Sequence, residues 1–210
     1  MTARVLAFNF LDGADGLAAG ITGVIALGYV AIVGYALSAY GHALAWSLLG
    51  ACVGFLIFNF PPAKIFMGDS GSTVLGFSVA FLGLDFVAAH SDGGAGRALL
   101  FTLLIAGLPL LDALVVVLRR VMKGKSPFHG DRAHFYDYLL AAGWQTRTIA
   151  ITGYLLTALL TLTGWFVTQS TWRSSVILAA GIVAALLVIV CWMAALRPGA
   201  MKQTRYRAQL

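Results

Sequence analysis

Residues 64–90 read KIFMGDSGSTVLGFSVAFLGLDFVAAH, a short polar segment followed by a long apolar run. An aspartate at the centre of a lipid-exposed helix costs roughly 2.5–3.5 kcal/mol even on lenient insertion scales. Asp69 lies instead just before the apolar run, among glycines and serines, where it is free to hold a cation. The stretch predicts a membrane-spanning helix over roughly residues 72–90, with a polar site at its start.

Composition places the whole chain in a membrane. Its 210 residues are 60% hydrophobic and 10% charged, with a mean hydropathy of +0.89, whereas soluble domains contain about 25% charged residues. Cys52 and Cys191 both lie inside apolar runs, which argues against a disulfide framework. The net charge of +6 is spread over the loops, so membrane topology explains it better than a nucleic-acid partner. We predict one membrane-embedded domain, residues 1–210, in a lipid bilayer.

The apolar runs predict an all-α, polytopic transmembrane helical bundle. Because about 20 apolar residues cross a bilayer as a helix, we expect about six transmembrane helices. The candidate spans are roughly 17–39, 43–60, 72–90, 98–118, 147–167 and 174–196. Residues 3–11 read as the tail of another helix. The connections are short and rich in turn residues, except for the long polar segment 119–146.

The distribution of lysine and arginine predicts the orientation. If the GADGL end (13–17) faces the cytoplasm, the other side of the membrane keeps only Arg97 and Arg173 of the 14 basic residues. The positive-inside rule favours that arrangement. It brings three polar islands, 9–17, 59–72 and 123–138, to one face. Five of the 8 acidic residues fall in these islands: Asp12, Asp15, Asp69, Asp131 and Asp137. We therefore expect a shared cytoplasmic site.

Each island has a functional and a structural interpretation. Asp12 and Asp15 are three residues apart, so on a helix they would share a face. Asp69 is a hard oxygen ligand suited to Mg²⁺, and the backbone N–H groups around it suit phosphate. The alternative for both segments is a helix N-terminus capped by aspartate. The third island has a cationic cluster suited to pyrophosphate, or else an ordinary positive-inside loop that contacts acidic headgroups. Its members are Lys123, Lys125, His129, Arg132 and His134.

Four motifs then occur in order along the chain. They are N-x-x-D-G-x-D-G-L from Asn9, P-A-x-I-F-M-G-D-x-G-S-x-x-L-G-F from Pro62, P-x-x-D from Pro109 and S-P-F-H-x-D-R-x-H from Ser126. In this order, separated by whole membrane spans, they resemble the polyprenyl-phosphate N-acetylhexosamine-1-phosphate transferases, the MraY/WecA-like glycosyltransferase family 4.

The resemblance implies a reaction and a set of residues. A polyprenyl phosphate would attack the β-phosphate of a UDP-amino sugar and release UMP, as the first step of cell-envelope polysaccharide synthesis at the bacterial inner membrane. Asp69 would be the Mg²⁺ ligand, with Mn²⁺ as an alternative ion. The implied catalytic residues are Asp12, Asp15, Asp69 and His134, and the implied substrate contacts are Asn9, Asn59, Phe66, Gly68, His129 and Arg132. Phe66 would stack on uracil. A homodimer is compatible with these features.

Two departures from the family pattern leave questions open. Relatives that use UDP-N-acetylglucosamine often carry H-x-H-H after the arginine, whereas residues 134–137 read HFYD, so the sugar is open. The family also begins with further spans and an acidic pair that has no counterpart here. We therefore expect residues 1–210 alone not to transfer sugar phosphate. A catalytically inactive remnant of the fold is the alternative, and a transporter is the rival from another class.

The remaining polar residues inside or beyond the spans are compatible with structural roles. Asp112, three residues after Pro109, is as compatible with a structural role in the bundle interior as with catalysis. Asp85, His42, His90 and Asp92 are predicted to be structural.

Overall fold

The computed structural model describes residues 11–90, 93–122, 134–178, 180–182 and 184. Throughout these residues the regular structure is helical, which confirms the all-α prediction. The elements in chain order are α1 (Leu17–Val33), a 3₁₀ turn (Gly34–Ala36), α2 (Ala39–Asn59), α3 (Gly68–Ala88), α4 (Ala95–Ile105), α5 (Gly107–Met122), α6 (Phe135–Ala141) and α7 (Thr146–Gln169). A further apolar helix begins at Trp172. Most of the predicted span 174–196 lies outside the described residues.

Four helical segments are long and apolar enough to cross a membrane. They are Leu17–Ala36, Ala39–Asn59, Gly68–Ala88 and Thr146–Gln169, and a bent pair of helices can supply a fifth span. Four of the predicted spans are thereby confirmed to within a few residues at each end. The chain is a multi-pass membrane protein.

The predicted span 98–118 is not one helix. It is divided into Ala95–Ile105 and Gly107–Leu118, which meet at an angle of 73°. Ala106 leaves helical geometry, with φ −91° and ψ 11°. Pro109 follows in the first turn of α5, where its missing N–H would have no intrahelical partner in any case. A new helix therefore starts at this point, and the expectation of a single continuous helix was wrong.

Helix α1 lies at the centre of the bundle. It is apolar all round and the most deeply buried of the four long spans, with 72% of its apolar window inside the bundle, and it contacts α2, α3 and α7. Near its far end, Tyr29 packs edge-on against Phe86 and Phe101, with ring centroids 6.5 and 5.7 Å away. Because α1 is central, the turn that precedes Leu17 lies between the ends of the neighbouring helices.

The helix ends gather at two opposite ends of the bundle. The Asp69 end comprises the turn 12–16, the end of α2, the loop 60–67 and the starts of α3 and α7. Hydrogen bonds join the turn to the end of α2, to the loop and to the start of α3, and join the loop to the start of α7. The Asp85 end comprises the start of α2, the end of α3, the start of α4 and the end of α7. The first two polar islands therefore share one end of the bundle, as predicted.

Candidate active site

The first island forms a turn rather than a helix. Residues 12–16 precede α1, whose N-cap is Gly16 with no side-chain capping bond. The expectation that Asp12 and Asp15 lie on one helical face was wrong, and so was the alternative that either aspartate caps the helix. Gly16 has φ +74°, a backbone conformation that suits glycine. The turn leaves both carboxylates half-buried at the Asp69 end.

Asn59 connects this turn to the second island. Its Oδ1 accepts from the Gly16 N–H at 3.0 Å, and its Nδ2 donates to the Ile65 carbonyl at 2.8 Å. The side chain is buried, with 4% of the residue exposed. Asn59 was predicted to contact substrate. Here its amide joins two segments of backbone, so its immediate role is to hold the two islands together.

The loop 60–67 is fixed from two more sides. Asp15 accepts from the Ala63 N–H at 3.0 Å. Arg147, at the start of α7, donates to the Pro61 carbonyl at 3.1 Å and lies over the Phe60 ring, 5.6 Å from its centroid. The sequence indicated Arg147 only as one more basic residue on the cytoplasmic side. These contacts form a rigid frame around the predicted nucleotide-binding segment.

Asp69 and Phe66 lie exposed on this frame. Helix α3 begins at Gly68, where φ is +64°, so Asp69 is in its first turn. The N-cap is Met67 and makes no side-chain capping bond, which rules out the interpretation of Asp69 as the cap. Phe66 is 73% exposed, as a stacking platform requires. The Gly68 carbonyl accepts from the Ser72 hydroxyl at 3.2 Å.

Asp12 and Asp69 form an electrostatically coupled pair. The pKa of Asp12 is raised from its usual 3.8 to about 6, mainly by partial burial and secondly by the nearby charge of Asp69, while a hydrogen bond from the Gly68 N–H acts in the opposite direction. Two like charges held this close favour a proton or a cation between them. Within the described residues no group of three or more His, Cys, Asp and Glu could hold a metal ion. Among the described residues, Asp12 and Asp69 alone would therefore leave coordination positions of an ion open to other oxygen atoms.

The described part of the third island begins at His134. Its Nδ1 lies 2.8 Å from Asp112 Oδ2, and the other Asp112 oxygen accepts from the Phe135 N–H at 2.9 Å. Its backbone N–H donates to Asp137, which completes the start of α6. His134 is buried, with 6% exposed, and its ring stacks on Tyr136. Asp112 thus joins α5 to the start of α6 through His134 and Phe135, a contact compatible with both the structural and the catalytic interpretation. The predicted residues Asn9, Asp92, His129 and Arg132 lie outside the described residues.

Comparison with known proteins assigns the fold to a family. A profile described as glycosyl transferase family 4 matches residues 1–87. Over these residues, the chain is similar to glycosyl transferase family 4. The resemblance inferred from the four motifs is confirmed.

Curated relatives extend the match beyond those residues. The decaprenyl-phosphate N-acetylglucosaminephosphotransferase of Mycobacterium tuberculosis is 36% identical over 167 residues, 72% of this chain and 41% of the relative. The phospho-N-acetylmuramoyl-pentapeptide-transferase of Pelotomaculum thermopropionicum is 37% identical over 161 residues, 75% of this chain and 46% of the relative. A probable undecaprenyl-phosphate N-acetylglucosaminyl 1-phosphate transferase of Bacillus subtilis is 36% identical over 154 residues, 71% and 41% of the two chains. The chain spans less than half the length of these family members.

Two residues that support the site fall outside the family motifs quoted above. Arg147 and Tyr154 both belong to α7, and each contacts the backbone of one island: Arg147 at Pro61, Tyr154 at Gly16. A tyrosine in an apolar run and an arginine at a span end are ordinary features of membrane helices. No sequence signal distinguished them, because their role depends on the packing of α7 against α1.

Proposed function

We propose that this chain carries the nucleotide-sugar site of an enzyme that transfers an N-acetylhexosamine-1-phosphate from a UDP-sugar to a polyprenyl phosphate. An oxygen of the acceptor phosphate attacks the β-phosphorus of the UDP-sugar. The bond from that phosphorus to the oxygen shared with the α-phosphate breaks, and UMP leaves with that oxygen. The products are UMP and a lipid-linked sugar pyrophosphate. The carrying observation is that the Gly68 N–H, at the start of α3, donates to Asp12, which brings Asp12 close to Asp69 at the end of the bundle where Phe66 is exposed.

The donor set fits Mg²⁺, which usually binds through one or two carboxylates together with substrate phosphates and water. Asp69, with Asp12 beside it, would hold the ion, and the pair's mutual repulsion supports this assignment. The metal would supply charge neutralisation for the diphosphate. Mn²⁺ has the same preference for oxygen ligands and can substitute.

The other residues of the chain then position the donor. Phe66 offers a ring face to uracil, and the backbone of the loop that carries it is held by Asn59, Asp15 and Arg147. Both backbone groups of Gly68 are engaged within the protein. A uracil contact at Gly68 would have to share one of these bonds. Phosphoryl transfer depends mainly on such positioning and on charge neutralisation.

The asymmetry of basic residues supports a cytoplasmic site in a bacterial inner membrane. Lys64 and Arg147 belong to the Asp69 end, whereas Arg97 is at the Asp85 end, where it donates to the Thr168 and Ser170 carbonyls. UDP-sugars are made in the cytoplasm, so this orientation would give the site its substrate.

The test is a transfer assay in lipid nanodiscs. Protein is incubated with Mg²⁺, undecaprenyl phosphate and a panel of UDP-amino sugars that begins with UDP-N-acetylglucosamine. Nucleotide-sugar binding is measured in the same samples as UMP release. We expect Mg²⁺-dependent binding by residues 1–210. UMP release is expected when the further spans implied by the family resemblance are co-expressed. Folded protein that binds no UDP-amino sugar with Mg²⁺ would contradict the proposal.

A further inference from the structure

Gly16 is held by side chains from two different helices. Its N–H donates to Asn59 at the end of α2, and its carbonyl accepts from the Tyr154 hydroxyl of α7 at 2.7 Å. The carbonyl also accepts the first helical bond of α1, from the Gly20 N–H at 2.9 Å. Both backbone polar groups of one residue with positive φ are thus tied to neighbouring helices. Such a residue cannot rotate without breaking at least one of these bonds.

The Tyr154 ring lies in a depression made by two glycines of the α1 segment. A Cβ atom on Gly20 would overlap the ring, and one on Gly16 would lie 3.1 Å from the Tyr154 hydroxyl. Gly16 and Gly20 are four residues apart, so their bare faces adjoin along the helix. The ring can approach the α1 backbone only because both side chains are absent. The hydroxyl is thereby aimed at the Gly16 carbonyl.

The position of Gly16 determines where the carboxylates of the turn lie. Asp15 adjoins it and accepts from Ala63, and Asp12, four residues earlier, is coupled to Asp69. We propose that Tyr154 is a positioning residue that acts through Gly16 to set the distance between Asp12 and Asp69. This inference rests on the proposed function. Mg²⁺ demands near-ideal octahedral geometry with short bonds to oxygen. A small displacement of the turn would therefore weaken the binding of the ion and of the diphosphate.

Removing the hydroxyl alone isolates this role. In Tyr154→Phe the ring still fills the depression, and the Gly16 carbonyl keeps its bond from Gly20, so no buried carbonyl is left without a partner. The fold should therefore survive. Tyr40→Phe is the matched control, since Tyr40 is 82% exposed at the Asp85 end. Gly20→Ala retains the hydroxyl but displaces the ring, and Gly50→Ala is its control because nothing lies within 4 Å of a Cβ there.

The experiment uses residues 1–210 in nanodiscs and measures three quantities: the Mg²⁺ concentration that gives half-maximal UDP-N-acetylglucosamine binding, the unfolding temperature, and amide hydrogen exchange in residues 11–17. We expect Tyr154→Phe and Gly20→Ala to raise the Mg²⁺ midpoint at least tenfold and to speed exchange at Gly16 at least tenfold. Both controls should match the wild type. Tyr154→Phe should unfold within a few degrees of it.

Each other outcome is decisive. If Tyr154→Phe lowers the unfolding temperature but leaves the Mg²⁺ midpoint and the exchange unchanged, Tyr154 is merely structural and the inference is overturned. If the wild type binds no nucleotide sugar, the proposed function fails. Hydrogen exchange at Gly16 then still decides whether Tyr154 fixes the turn, and an unchanged rate would overturn that too.

Discussion

The two ends of the bundle use their polar residues differently. At the Asp85 end they complete helix ends: Asp85 accepts from the Ser38 N–H at the start of α2, and Arg97 donates to carbonyls at the end of α7. His90 contacts the Phe86 carbonyl one turn earlier. These bonds satisfy backbone groups that every helix leaves unpaired at its termini. The predicted structural roles of Asp85 and His90 are confirmed.

At the Asp69 end only part of the polar set does that work. Asn59, Asp15 and Arg147 hold backbone groups of the turn and the loop. Asp12 also accepts a backbone bond, from the Gly68 N–H at the start of α3, but the charge of Asp69 acts against its ionised form. Phe66 is 73% exposed. Repulsion between two carboxylates opposes folding, so this arrangement supports the proposal that the Asp69 end binds a ligand.

The largest expected effect tests whether the two ends lie on opposite sides of a membrane. Gln145 and Gln169 are both exposed and flank α7, which spans the bundle. In intact cells an impermeant maleimide should label Gln169→Cys and leave Gln145→Cys unlabelled, because the positive-inside rule places the Asp69 end in the cytoplasm. Permeabilised cells should label both. The reverse pattern would put the proposed site outside the cell.

The second prediction compares how substitution of each acidic residue of α3 changes nucleotide-sugar binding. Asp69→Asn should reduce Mg²⁺-dependent UDP-sugar binding, and UMP release where it occurs, at least a hundredfold, since an amide is a far poorer partner for the ion than a carboxylate. Asp85→Asn, at the other end of the same helix, should change binding less than twofold. Nucleotide binding by isothermal calorimetry in nanodiscs measures both. Equal losses in the two variants would remove the distinction between the ends.

Sequence reasoning predicted the parts of this arrangement that follow from hydropathy and spacing. Four spans and the meeting of the islands at 9–17 and 59–72 are confirmed, because both depend on the alternation of apolar runs and loops. The bend between α4 and α5 was missed although Gly107 and Pro109 mark it. Their effect could not be separated from that of a proline inside a continuous helix.

Side-chain direction was beyond the sequence. Asn59 was predicted as a substrate contact and His134 as a catalytic residue; the structure adds that Asn59 joins two backbone segments and that His134 is buried against Asp112. Arg147 and Tyr154 were missed for the same reason, since nothing in the order of residues tells which helix α7 contacts. A motif identifies residue types that a site needs. Packing decides which of them face the ligand and which hold the others in place.

A third, moderate effect concerns pH and separates ligand binding from stability. Because the pKa of Asp12 is about 6 without metal, lowering the pH from 7 to 5 should weaken Mg²⁺ binding about tenfold by proton competition. Stability should move the opposite way. The native state holds more protons than the unfolded state between pH 3.8 and about 6, so this group's contribution to the free energy of unfolding falls as the pH rises through that window. The pH dependence of Mg²⁺ binding and that of the free energy of unfolding are each compared between the wild type and Asp12→Asn. The contribution of Asp12 to each should be absent from the variant.

The smallest expected effect compares how strongly each end is held together. Asn59→Ala leaves the buried Gly16 N–H and Ile65 carbonyl without their side-chain partner, a loss of about 1–3 kcal/mol for an unsatisfied buried group. Asp85→Ala removes a capping bond at the more exposed Ser38 N–H, which water can replace, for about 1 kcal/mol or less. Unfolding of the two variants in the same detergent, followed by circular dichroism, should rank them in that order. An Asp85→Ala variant that is the less stable of the two would mean that the Asp85 end holds the bundle together. Asn59 would then be better explained as a ligand contact than as a residue that holds the turn and the loop together. Whether substrate still protects Asn59→Ala against unfolding is the measurement that decides between these roles.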